Sequence, residues 1–192
     1  FSAQFSTGHI RSPLLRLLAT PDLEHISVQD RLYVFDSCFL SNHATMLQPY
    51  PAYKRLHELY QMFNRRSESE LVYFSGQYLA DLLVWYHLAW MGESVRRNNE
   101  FVMRLMAQSQ EFSYEDRLQL FNLTGELIKN LITRYRKLAE SGQIELSTTP
   151  HYHPLAPLLI DFVSTRDSQP DVTLPEHQLY PGGRSRVAFH LS

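Results

Sequence analysis

The sequence predicts an α/β fold that is predominantly helical in this segment. Roughly five or six stretches repeat apolar residues at helical spacing. One short β-type run, Gln143–Leu146, follows directly on a helix, and a Thr-, Pro- and His-rich loop comes after it. A lone strand has no ladder partner, so its neighbouring strands are expected outside this chain.

The elements follow in order. Leu14–Leu18 is an apolar run closed by the turn signal Thr20-Pro21-Asp22. Ser27, with Asp30 in capping position, opens a helix carrying Leu32, Phe35, Phe39 and Leu40, expected to stop before Pro49. Pro51 suits a first helical turn, and Tyr53, Leu56, Leu59, Tyr60 and Phe63 form the face that follows. Asn64–Glu70 reads as a polar connector. Ser75 caps a helix through Trp90 that is apolar nearly all round, the mark of burial on most sides, so Trp85 and Trp90 are expected in the core. Asp81 and His87 on that helix then require partners. One short helix is expected over Glu93–Gln108. Ser113 with Asp116 caps the longest, whose stripe is Leu118, Phe121, Ile128, Leu131, Tyr135 and Leu138, with Gly142 as the stop. Leu155–Phe162 is apolar, Thr165–Tyr180 is a long loop punctuated by prolines, and Gly182-Gly183 leads into a helix over Arg184–His190.

Composition sets the limits. A chain of 192 residues, 44% of them hydrophobic, makes one domain or a large piece of one. Lys plus Arg is 18 and Asp plus Glu is 20, a net charge of −2, which offers no electrostatic footprint for nucleic acid or an anionic membrane. The single cysteine, Cys38, excludes an intramolecular disulfide and a multi-cysteine zinc site, and on its apolar helix it reads as a buried, inert thiol. No run reaches the roughly 20 apolar residues of a membrane span; no signal peptide is visible, which says little about a parent protein whose ends read as cuts, and a cytoplasmic location is expected. The first residue is Phe1, and Ser192 falls within a helical pattern, so both ends are expected to continue in a longer protein.

The chemistry-bearing residues concentrate in 142–159, GQIELSTTPHYHPLAPLL. At a strand end, Glu145 would project into the mouth of an α/β sheet or barrel, where such folds place their sites; a local cap or ion pair is the plainer role. His151 and His153 form a His-x-His pair between Pro150 and Pro154. Such a pair in extended backbone can hold a metal, but no further ligand stands at motif spacing, and neutral imidazoles hydrogen-bonding in a polar pocket fit as well. Gly182-Gly183 lacks the phosphate-loop pattern, and no serine elbow or protease motif is present.

The run 142–159 resembles the second conserved block of glycoside hydrolase family 57, which contains α-amylases, amylopullulanases, branching enzymes and 4-α-glucanotransferases. Arg31–Phe35 with Met46–Tyr53, then Phe74–Trp90, then the Tyr180-Pro-Gly-Gly-Arg tail are similar to that family in the same order. The resemblance implies a retaining enzyme on α-1,4 or α-1,6 glucans such as glycogen or starch. It also implies that 1–192 is the incomplete middle of one catalytic domain, a (β/α)7 barrel with helical insertions, whose partner is the remainder of that domain. It implies Glu145 on the pocket floor and His153 in the pocket, with His151 and Tyr152 beside it as substrate-binding residues. It implies no cofactor and no metal. The family's His-Gln-Pro block and its nucleophile and acid/base blocks have no match here, so no catalytic residue is named and the chain alone is expected to be inactive. A retaining enzyme sets two carboxyl groups about 5–5.5 Å apart from different strand ends, so a short segment holding neither is no contradiction. Two other readings remain at this level: a metal-dependent polysaccharide deacetylase using the histidine pair, and a non-catalytic helical interaction module.

Overall fold

The computed structural model describes residues 2–62, 71–147, 149 and 152–191. Phe63, the connector Asn64–Glu70 and His151 lie outside the described residues. The chain divides into two compact units, Phe1–Arg134 and Tyr135–Ser192. Among the described residues there are ten α-helices and no β-strand.

The first unit is all helix: α1 (Ser2–Thr7), α2 (Pro13–Leu18), α3 (Val28–Cys38), α4 (Pro51–Met62), α5 (Gly76–Trp90), α6 (Glu93–Asn98), α7 (Glu100–Gln108) and most of α8 (Tyr114–Glu140). The starts follow side-chain chemistry. Ser12, Ser27, Ser75 and Asn99 each accept a bond from a first-turn backbone N–H, satisfying a donor the helix leaves open. Ser113 and Asp116 close a reciprocal box: the Asp116 N–H reaches Ser113 Oγ at 3.1 Å and the Ser113 N–H reaches Asp116 Oδ2 at 3.0 Å.

Helix α5 is the centre. Leu79, Leu82, Leu83, Val84 and Leu88 are fully enclosed, and α2, α3 and α4 pack against it. Two of its polar side chains face the loop after α7. Asp81 accepts from the Phe112 N–H at 3.0 Å, the Glu111 N–H at 3.1 Å and Gln77 Nε2 at 2.9 Å. Trp85 Nε1 donates to the Ser109 carbonyl at 2.8 Å. That loop carries Ser109 and Glu111 at positive φ, 71° and 58°, a conformation side chains rarely adopt without outside support. Burial raises the Asp81 pKa.

Two buried arginines join distant segments through backbone carbonyls. Arg117 on α8 donates to Leu18 at 3.1 Å, Thr20 at 2.7 Å and Pro21 at 3.0 Å, capping the open carbonyl end of α2. Arg31 on α3 donates to Phe74 at 2.6 Å and Leu71 at 3.3 Å, and also to Glu24. Cys38 is fully enclosed, and burial pushes its thiol pKa up, as an inert core residue requires.

Several expectations are corrected. Helix α3 does stop before Pro49 but already at Cys38, leaving Phe39 and Leu40 beyond it: the Tyr53 hydroxyl donates to the Cys38 carbonyl, and Asn42 caps a separate π-turn at His43–Leu47. The helix expected over Glu93–Gln108 is two, broken where Asn99 bonds the Val102 N–H at 3.1 Å. Trp85 is buried, but Trp90, the last residue of α5, is 55% exposed because the helix ends before a neighbour covers it. The stripe on α8 is covered only in its first half; Leu131 and Tyr135 are each 47% exposed. At 27 residues α8 runs about 40 Å, and within the first unit its core contacts come from its first half, at Leu120, Phe121 and Leu123.

The second unit comprises the end of α8, α9 (Ala156–Ile160), a 3-10 turn at Phe162–Asp167 and α10 (Gly183–Leu191). Gly142, at φ +70°, stops α8: its N–H bonds Ala139 and the Gln143 N–H bonds Leu138, both at 3.0 Å. This bond removes Gln143 from any ladder, and Gln143–Leu146 is not a strand. A strand needs a paired neighbour, and none stands beside this run among the described residues. The loop over Thr165–Tyr180 is tied back by the Phe162 N–H on the Gln178 carbonyl at 2.9 Å. No helix among the described residues is long and apolar enough to cross a membrane.

Two outcomes test the role of α5. Asp81→Ala orphans two backbone N–H groups and is expected to cost about 2–4 kcal/mol in denaturant unfolding; a loss under about 0.5 kcal/mol contradicts the anchor. His87 Nδ1 bonds the Leu83 carbonyl at 2.7 Å, and burial pushes the imidazole pKa from 6.5 down to about 4. The unfolded chain then takes up a proton that the fold refuses, so stability is intact above about pH 6.5 and falls as pH drops toward 4. The loss is expected to reach about 2–3 kcal/mol, and His87→Gln should flatten that part of the stability–pH curve.

Candidate functional site

The second-block residues sit in the second unit on irregular backbone. Glu145 is exposed in the irregular run after Gly142, and His153 is exposed as well. Tyr152 and His153 stand at successive positive φ values of 62° and 52°. Two such residues in sequence cost of order 1–3 kcal/mol each, and strain of this kind gathers at functional turns. The turn presents Tyr152 outward, 81% exposed, with its ring perpendicular to that of His190 at 5.8 Å between centroids.

That contact opens a cleft of about 640 Å³ lined by Tyr152, Pro181, Ser185, Arg186, Phe189 and His190. Ser185 and Phe189, and likewise Arg186 and His190, are four apart on α10, so each pair shares a face. The Arg186 guanidinium lies over the Tyr180 ring at 5.4 Å, which fixes the head of a long side chain at the cleft wall. Gly183 makes the wall possible. A Cβ there would lie 1.7 Å from the Leu159 carbonyl oxygen, so only glycine lets α10 start against α9. None of the six lining side chains is a carboxylate.

Of the four residues expected at a site, the structure brings Tyr152 into this cleft. Glu145 and His153 lie outside its lining, and His151 lies outside the described residues. The sequence reading missed Ser185, Arg186, Phe189 and His190. Their signal is the turn Tyr180-Pro-Gly-Gly-Arg184 ahead of a helix, whose i, i+4 pairs become visible only once the face meeting Tyr152 is known.

The first unit holds a smaller cleft of about 220 Å³ beside Arg55, Tyr78, Asp81 and Ser109. Asp81 is engaged there by backbone donors, which makes its role structural. His43 and His57 meet edge to face at 4.8 Å, and burial, with His43 adding to it, lowers the His57 pKa. Among the described residues no three His, Cys, Asp or Glu side chains converge as a metal site.

Comparison with known families bears on the class directly. The sequence profile of Glycosyl hydrolase family 57 matches residues 15–178, well over half of the chain. The class is therefore that of the glycoside hydrolases, with a carbohydrate as substrate. The chain belongs to glycosyl hydrolase family 57. No curated protein and no solved structure matches it.

Gly183→Ala tests the construction of the cleft. The added methyl meets backbone, not a flexible side chain, and is expected to destabilise the second unit by about 2–3 kcal/mol. Hydrogen exchange across 156–191 is the readout; unchanged protection there contradicts the close α9–α10 contact.

Proposed function

We propose that this chain is part of the catalytic domain of a retaining glycoside hydrolase or glucanotransferase acting on α-1,4 or α-1,6 glucans such as glycogen or starch. The family match across residues 15–178 carries the reading, since it spans the block 142–159 that holds Glu145, Tyr152 and His153. The complete domain is a (β/α)7 barrel, to which this chain contributes helices and the irregular run 143–147. In that setting Glu145 accepts hydrogen bonds from sugar hydroxyls, while His151, Tyr152 and His153 contact the same substrate. No carboxylate of this chain matches the family's nucleophile or acid/base block, so both are assigned to the remainder of the domain.

Two measurements test this. The 192-residue chain is expected to release no reducing sugar from amylose or glycogen, and turnover abolished by a substitution within it would overturn the assignment of the catalytic pair. In the intact enzyme, Glu145→Gln removes one charge-assisted hydrogen bond and is expected to lower kcat/KM about ten- to hundredfold with little change in Tm. A purely thermal defect with normal kinetics marks Glu145 as a scaffold residue.

A further inference from the structure

We propose that the cleft between α4, α5 and the loop after α7, within the first unit, binds a small linear molecule with an amine at one end and a carboxylate at the other. One wall is a face of α4, where Ala52, Arg55, Leu56 and Leu59 recur at i, i+3, i+4 and i+7. Asp81 of α5 lines the cleft from the core side and Arg55 stands at its rim, since the first is buried and the second exposed. A volume of about 220 Å³ is the share of roughly seven water molecules, so the ligand is of amino-acid size. The loop that closes the cleft holds Ser109 and Glu111 at positive φ, and backbone strain of this kind gathers at ligand clamps.

Asp81 selects the amine. Its Oδ1 accepts from the Phe112 N–H and from Gln77, and its Oδ2 accepts from the Glu111 N–H. These bonds hold the loop, yet an ionised carboxylate offers about four acceptor positions, so one remains on Oδ2. All three partners are neutral, and among the described residues no Lys, Arg or His pairs with this carboxylate. Buried charges are ordinarily paired. Burial raises the Asp81 pKa, and the nearby Glu111 carboxylate adds to it, as an uncompensated anion requires. A primary ammonium supplies both the missing donor and the missing charge. Arg55 selects the carboxylate. Among the described residues no hydrogen bond or ion pair engages its guanidinium, and that fork matches a carboxylate in two bonds. A purely cationic ligand meets the Arg55 charge on entry, whereas a ligand that also carries a carboxylate is drawn to it. Asp81 and Arg55 form no ion pair with each other, so the ligand's charges stand at its two ends, with a short apolar middle against Leu56, Leu59 and Tyr78.

Calorimetric titration of the 192-residue chain with ε-aminocaproate tests the site, with hexylamine and hexanoate as comparison probes. The amino acid is expected to bind about tenfold more tightly than either single-ended probe. Arg55→Ala, at an exposed position, is expected to weaken ε-aminocaproate about tenfold and to leave hexylamine within about twofold. Leu59→Trp fills the cleft without touching the Asp81 bonds and is expected to weaken every probe at least about tenfold. Asp81→Asn is expected to abolish binding of both amines; because Asp81 also holds the loop, its reading counts only where circular dichroism shows an intact fold, and Arg55→Ala and Leu59→Trp decide the matter otherwise. Hexylamine binding as tightly as ε-aminocaproate overturns the carboxylate end, and hexanoate binding as tightly overturns the amine end. No binding of ε-aminocaproate, or binding indifferent to both Arg55→Ala and Leu59→Trp, overturns the site.

Discussion

Helix α5 cannot be left in water. Leucines, valine and alanines occupy nearly every turn of Gly76–Trp90, so it must be wrapped by other helices, and α2, α3 and α4 are placed by that requirement. A helix enclosed this way has no solvent to hydrate its polar side chains. Asp81 and Trp85 solve the problem by bonding the loop Ser109–Phe112, and in doing so they hold that loop in backbone conformations it would not keep alone. The need to satisfy one buried carboxylate thus shapes the entry to α8.

The buried arginines extend the same logic. Neither Arg31 nor Arg117 relies on a carboxylate; their donors go to backbone carbonyls at the ends of helices and turns. A guanidinium offers five donors in a fixed fork, so one side chain satisfies several carbonyls that would otherwise face the interior without partners. Desolvation lowers the Arg117 pKa, but the carbonyl cluster compensates the charge, and the Tyr114 ring lies 5.4 Å from it.

The second unit is organised differently. Few of its residues are buried, and its order comes from backbone devices: the stop at Gly142, the Asp161 cap, the Phe162–Gln178 bond and the Gly183 contact.

The sequence by itself determined what depends on neighbours along the chain. Ser27, Ser75 and Ser113 act through residues three positions on, Pro51 presets a dihedral, and Gly142 allows a left-handed turn, so these boundaries were legible without a fold. The family was legible because its blocks are linear, and the match over 15–178 bears that out. Contacts between distant residues were not. The strand expected at Gln143–Leu146 depends on a ladder partner, the exposure of Trp90 depends on where its neighbours end, and the Tyr152–His190 pairing joins residues far apart in the sequence. Periodicity reports which face of a helix is apolar. It carries no information on whether another element arrives to cover that face, so only the tertiary structure decided which rings pack and which stay open in a cleft.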